Sequence, residues 1–151
     1  MNRLLRLFAA SAVVAALASV LGAAALAGSG GGTSVEVAKS PLGTILVDRS
    51  GRTLYDFVAD HGKTSVCYGA CAALWPPLFT TGKPLAGNGV KASLLGTTKR
   101  SDGKLEVTYA GHPLYYYVAD SHRGQTTGQG LNQFGAPWWV LAPSGKEIHR
   151  G

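Results

Sequence analysis

Three pairs of residues in this 151-residue chain have the types and spacing to do chemistry: Cys67 and Cys71, Asp60 and Asp120, and His61 and His122. A cysteine pair four positions apart can close a disulfide or hold a soft metal. On a helix its α-carbons stand about 6 Å apart, near the upper end of disulfide geometry. Three residues separate the sulfurs and Ala72 follows the second, which removes the c-type haem motif and argues against thioredoxin-like chemistry or a zinc knuckle. Asp60 and Asp120 each end an aromatic stretch. Brought together, two carboxylates could bind a cation or act as acid and base. A carboxylate at a strand end also accepts backbone N–H groups of the turn that follows, and the turn-rich segments after both residues make that the expected role. His61 and His122 follow the aspartates, and imidazoles beside carboxylates and a cysteine pair are candidate copper or zinc ligands. No His-x-His or His-Glu-x-x-His spacing accompanies them, and Met1 is the only methionine, so loss of the N-terminus excludes a methionine-ligated copper site. Exposed loop histidines are the expectation, and no cofactor is predicted. No Gly-x-Ser-x-Gly, Ser-x-x-Lys or phosphate-loop motif is present.

These residues sit in a duplicated unit. Gly51 to Asp60 (GRTLYDFVAD) recurs as Gly111 to Asp120 (GHPLYYYVAD), 60 positions later, with seven of ten positions identical or aromatic for aromatic. Two copies are too few for a solenoid, so they are expected to pack around a shared core with pseudo-twofold symmetry. Each copy reads as a hairpin. Thr44 to Val47 and Thr53 to Val58 flank Asp48-Arg49-Ser50-Gly51, and Leu105 to Tyr109 and Leu114 to Val118 flank Ala110-Gly111. Period two places Tyr55 with Phe57, and Tyr115 with Tyr117, on one strand face each, where they form core or an aromatic platform. Tyr116 points the other way and should lie near the surface. A closing hairpin is expected from Trp138 to Leu141 and Lys146 to Ile148. One or two helical turns are expected in Gly69 to Leu74, stopped by Pro76 and Pro77, and a loop in Thr81 to Asn88.

Ahead of the repeats, Arg3 and Arg6 precede an apolar run from Leu7 to Ala27 that ends in Ala25-Leu26-Ala27, a small-x-small cleavage pattern. Residues 1–27 therefore read as a signal peptide cleaved after Ala27, with an uncleaved membrane anchor as the other reading. Residues 28–39 read as a flexible linker, and residues 40–149 as one two-repeat β domain, repeat one about 40–95 and repeat two about 96–149. Export places the chain outside the cell or on the outer face of the bacterial cytoplasmic membrane. There a disulfide between Cys67 and Cys71 is the default, and its five-residue loop contributes only about 2 kcal/mol. Only 22 of 151 residues are charged, far below the roughly one quarter of an average soluble chain, which excludes polyelectrolytes and charged coiled coils. The basic residues are dispersed, which disfavours nucleic acid but suits weak attraction to anionic cell-wall polymers.

The chain resembles a bacterial family of secreted or lipoprotein repeat proteins of unknown function, defined by a Tyr-x-[Phe/Trp/Tyr]-x-x-Asp motif. Both Tyr55 to Asp60 and Tyr115 to Asp120 fit it, and the likeness spans about residues 40–145, including Ser65 to Leu78, Leu95 to Gly103 and Gly128 to Asn132. No cysteine lies near Ala27, so the lipid attachment of many relatives is missing. The resemblance implies export and a repeat fold, with no established reaction. The expected fold is mainly β, two tandem repeats in one compact antiparallel domain with a short helical turn near residues 69–74. The expected function is a non-enzymatic binding or structural module of the cell envelope, its partner an envelope component or cell-wall polymer, with membrane contact only if the leader is retained. The alternatives are an extracytoplasmic copper or redox accessory protein using Cys67, Cys71, His61 and His122, and a small hydrolase built on Asp60 and Asp120.

Overall fold

The computed structural model describes residues 31–151, so the expected signal peptide, its expected cleavage site and the start of the expected linker lie outside the described residues. Strand β1 (Ser34–Ser40) pairs antiparallel with β2 (Gly43–Asp48), from Val35 opposite Asp48 to Ser40 opposite Gly43. The expected linker over 28–39 is therefore corrected from residue 34 onward. The polar residues there alternate with Val35 and Val37, and Val35 is fully buried. A half-buried strand needs only that alternation, however polar its overall composition.

The first repeat hairpin turns at Asp48, whose Oδ1 accepts the backbone N–H of Ser50 and of Arg52, while Gly51 takes the left-handed φ of 85°. The return arm pairs with β2 only through Arg52, Thr53 and Leu54, and then leaves as β3 (Tyr55–Phe57). Helix α1 (Ala70–Leu74) stops at Trp75, ahead of the two prolines. The segments β4 (Phe79–Thr80) and β5 (Leu85–Ala86) follow, β5 adding to β1 in parallel within the expected loop.

The second repeat begins with β6 (Leu95–Lys99), antiparallel to β7 (Leu105–Tyr109), which also pairs with β4. Ala110 and Gly111 both have positive φ, the geometry of a tight two-residue hairpin, and return the chain into β8 (His112–Pro113). Again the return arm departs early, and Tyr115 bridges to Tyr55 and Pro77 in place of a long strand over Leu114 to Val118. Finally β9 (Asn132–Gln133) pairs with β10 (Ala136–Val140), and β10 pairs antiparallel with β3, Trp138 opposite Phe57. Leu141 opposite Glu147 closes the last hairpin. The described chain is thus mainly β, in antiparallel sheets joined between the repeats. Among the described residues no helix is long and apolar enough to cross a membrane.

Candidate functional site

The two motifs meet at their tyrosines. Tyr55 and Tyr115 exchange both backbone hydrogen bonds at 2.9 Å, a contact that maps onto itself when the repeats are swapped. Their side chains cross over. The Tyr55 hydroxyl donates to Asp120 Oδ2 at 2.6 Å, and the Tyr115 hydroxyl donates to Asp60 Oδ2 at 2.7 Å. The second oxygen of each carboxylate accepts the backbone of its own turn, from Val66 N at 2.8 Å for Asp60 and from Thr127 N at 2.9 Å for Asp120. Each aspartate therefore ties its turn to the tyrosine of the other repeat. The remaining aromatics form an interleaved stack. Phe57 lies on Trp138 (4.0 Å), Trp138 on Trp75 (4.0 Å) and Trp75 on Tyr117 (4.3 Å), while Tyr55 and Tyr115 meet Trp75 and Trp138 edge-on. Offset stacks and edge contacts of this kind add about 0.5–1.5 kcal/mol per pair beyond area burial. These rings are core, so no platform of Tyr55, Phe57 and Tyr115 faces solvent. Tyr116 is half-buried, with Arg52 over its ring and its hydroxyl on Asp48.

Burial and the facing carboxylates push the hydroxyls of Tyr55 and Tyr115 well above the usual tyrosine range, so both remain donors at any physiological pH. Burial also raises Asp60, against the hydrogen bonds it accepts. From Tyr115 a polar chain runs inward. Ser65 Oγ lies 2.7 Å from both the Tyr115 hydroxyl and Arg100 Nη1, and Arg100 Nη1 reaches Glu106 at 2.6 Å. Arg100 and Glu106 are buried, and Arg100 also donates to the Cys67 carbonyl, clamping the cysteine loop onto β6 and β7. Sequence reasoning missed both residues. A charged pair six positions apart on a hairpin signals surface until its partners are known.

Cys67 and Cys71 are disulfide-bonded, with α-carbons 5.2 Å apart, and both are buried. In this bonded state neither sulfur carries a thiolate to donate to a metal. His61 and His122 are exposed and join no group of potential ligands among the described residues. A different group does form. Asp56, His112 and Glu147 present one ligand atom each, all within 4.8 Å of one another. Asp56 opposes Trp139 across β3 and β10, His112 comes from the second hairpin turn, and Glu147 from the closing hairpin. Burial raises Asp56 to about 6, and Asp56 in turn holds His112 above the ordinary imidazole range. The repeat alignment held the only available signal, since Asp56 and His112 stand where the other copy has Tyr116 and Arg52.

A groove of about 680 Å³ lies elsewhere, lined by Thr33, Phe79, Thr81 and Lys104 among others. The Lys104 ammonium sits 4.9 Å from the Phe79 ring centre, and Phe79 is exposed.

The family comparison agrees with the observed duplication. A family model described as a secreted repeat of unknown function matches twice, at residues 36–79 and 96–142, and the first match takes in most of β1. No curated protein and no solved structure matches the chain. With both matched segments together covering more than half of the chain and meeting at the Tyr55–Tyr115 pair, the protein belongs to the family of secreted repeats of unknown function.

Proposed function

We propose that this secreted repeat protein works by binding, without catalysis, and that its partner is an anionic polymer of the bacterial cell envelope. One observation carries the reading: the fold takes its carboxylates inward and leaves its cations outside. Of the twelve Lys and Arg residues between 31 and 151, ten are exposed, whereas Asp102 is the only exposed carboxylate among the described residues. Asp48, Asp60, Asp120 and Glu106 are engaged by turns, tyrosines and Arg100, and Asp56 is buried beside His112. The surface is therefore more basic than the net charge implies, which favours association with polyanions over long range. The groove beside Phe79 and Lys104 offers an aromatic face and a cation of the kind that suits a charged glycopolymer. Catalysis by Asp60 and Asp120 finds no support, since each carboxylate is engaged by a tyrosine and a turn. The leader, residues 1–27, would deliver the module to the envelope.

Co-sedimentation with purified bacterial cell walls tests this reading. Retention should fall with added salt and after chemical stripping of the anionic polymers, because exposed charges are screened within about 10 Å at 0.1 M ionic strength. Retention indifferent to both treatments would overturn the partner, and release of soluble wall fragments during the incubation would overturn the non-enzymatic reading.

A further inference from the structure

We propose that Asp56, His112 and Glu147 form a binding site for a divalent metal ion of borderline softness, of the zinc or copper(II) class, set between the two repeats. The inference does not depend on the wall-binding reading. Its first support is the state of Asp56. The residue is fully buried, and neither carboxylate oxygen has a hydrogen-bond partner. His112 Nδ1 stands 3.2 Å from Asp56 Oδ2 but outside hydrogen-bond geometry. A protonated His112 balances that carboxylate, but a neutral imidazole leaves it buried and uncompensated, a costly state that a metal ion held by both groups relieves. The separation also fits two ligands on one ion, since ligands about 2.0–2.1 Å from a tetrahedral zinc stand about 3.3 Å apart.

The second support comes from the broken symmetry of the repeats. At the related position Arg52 lies over the Tyr116 ring at 4.2 Å, and the Tyr116 hydroxyl reaches Asp48 at 3.0 Å. That neutral, satisfied arrangement shows that the fold itself does not require an Asp–His pair there. Only on the Asp56 side does a third ligand, Glu147, come within reach, and it brings a second carboxylate whose repulsion a cation relieves. One imidazole nitrogen with two carboxylate oxygens is a donor set that zinc and copper(II) accept, with solvent filling the remaining positions.

Access and orientation are also provided. The side chains of His112 and Glu147 are 36% and 24% exposed, so an ion enters from solvent while Asp56 forms the floor. His149 bonds the Glu147 carboxylate and packs against the Trp139 ring at 4.7 Å, an outer contact of the kind that orients a metal-bound carboxylate.

Titration of the exported chain with zinc chloride at neutral pH, repeated with copper(II) chloride, tests the site. The expected result is one equivalent bound, weakened about 10-fold or more by His112→Gln and by Asp56→Asn, and unchanged in His61→Ala and His122→Ala. Because Asp56→Asn alters a buried position, the histidine ring resonances of the wild-type protein supply a reading that needs no variant: zinc should shift those of His112 and leave those of His61 and His122 in place. Absence of saturable binding, or binding that moves His61 or His122 and not His112, would overturn the proposal.

Discussion

Replacing Tyr55 by Phe removes one oxygen from the centre of the inter-repeat crossing and leaves the ring in place. That hydroxyl is fully buried. It donates to Asp120 Oδ2 at 2.6 Å and accepts the Gly128 N–H at 3.2 Å, so the change strands a carboxylate oxygen and a backbone donor together. A hydrogen bond to a charged group contributes about 1.5–3 kcal/mol, and an unsatisfied buried partner adds to the loss. We expect a cost of about 2–3 kcal/mol. For a domain of this size that corresponds to a fall in Tm of roughly 6–15 °C. Tyr115→Phe should cost less, about 1–2 kcal/mol, because Asp60 is only half-buried and water can replace the lost donor. Thermal and urea denaturation of both variants would measure these values. A double-mutant cycle combining Tyr55→Phe with Asp120→Asn should then return a coupling of about 1–3 kcal/mol. A loss below about 0.5 kcal/mol for Tyr55→Phe, or additive effects in the cycle, would refute the claim that the exchanged tyrosine–aspartate bonds hold the repeats together.

The metal-free protein should lose stability as pH rises from about 4 to 7. Burial raises Asp56 from 3.8 to about 6 and also raises Asp60, and Asp56 raises His112 above 6.5, so the folded chain holds protons that the unfolded chain releases in that window. A Tm that climbs between pH 4 and 7 would contradict this. Gly128→Ala should cost about 1–3 kcal/mol by overpacking, since a β-carbon there would stand 2.6 Å from the Trp75 ring and 3.1 Å from Tyr55 Cζ; a wild-type melting curve would show that the stack can yield. Cys67 and Cys71 should resist alkylation until reduced, and reduction should lower stability by about 2 kcal/mol, the chain-entropy value for their short loop; free thiols in freshly exported protein would rule the bond out. Mass spectrometry of the exported product should find Gly28 at its N-terminus, and retention of Met1 to Ala27 would favour an anchor.

The features legible in the sequence are those decided within a few residues. The hairpin turns at Asp48–Gly51 and Ala110–Gly111, the stop of α1 before Pro76-Pro77 and the Cys67–Cys71 bond follow from turn chemistry, proline sterics and short spacing. The duplication and the mainly β character were legible for a related reason, since a repeated pattern of apolar positions repeats its local structure. β1 was hidden because the glycines and polar residues around Val35 mask a short alternation. Partner choice was not legible at all. Period two assigns Tyr55 and Phe57 to one face, but whether that face meets its own repeat or the other depends on where the return arms leave their hairpins. Each leaves after three residues, and the exchange that follows joins Tyr55 to Asp120 and Tyr115 to Asp60, across 65 and 55 positions. The same crossing carries Asp56 to His112 and Glu147 and buries Arg100 against Ser65 and Glu106. Local chemistry sets the conformation of each segment, whereas hydrogen bonding and burial between segments distant in sequence are settled only when the two repeats close on one another.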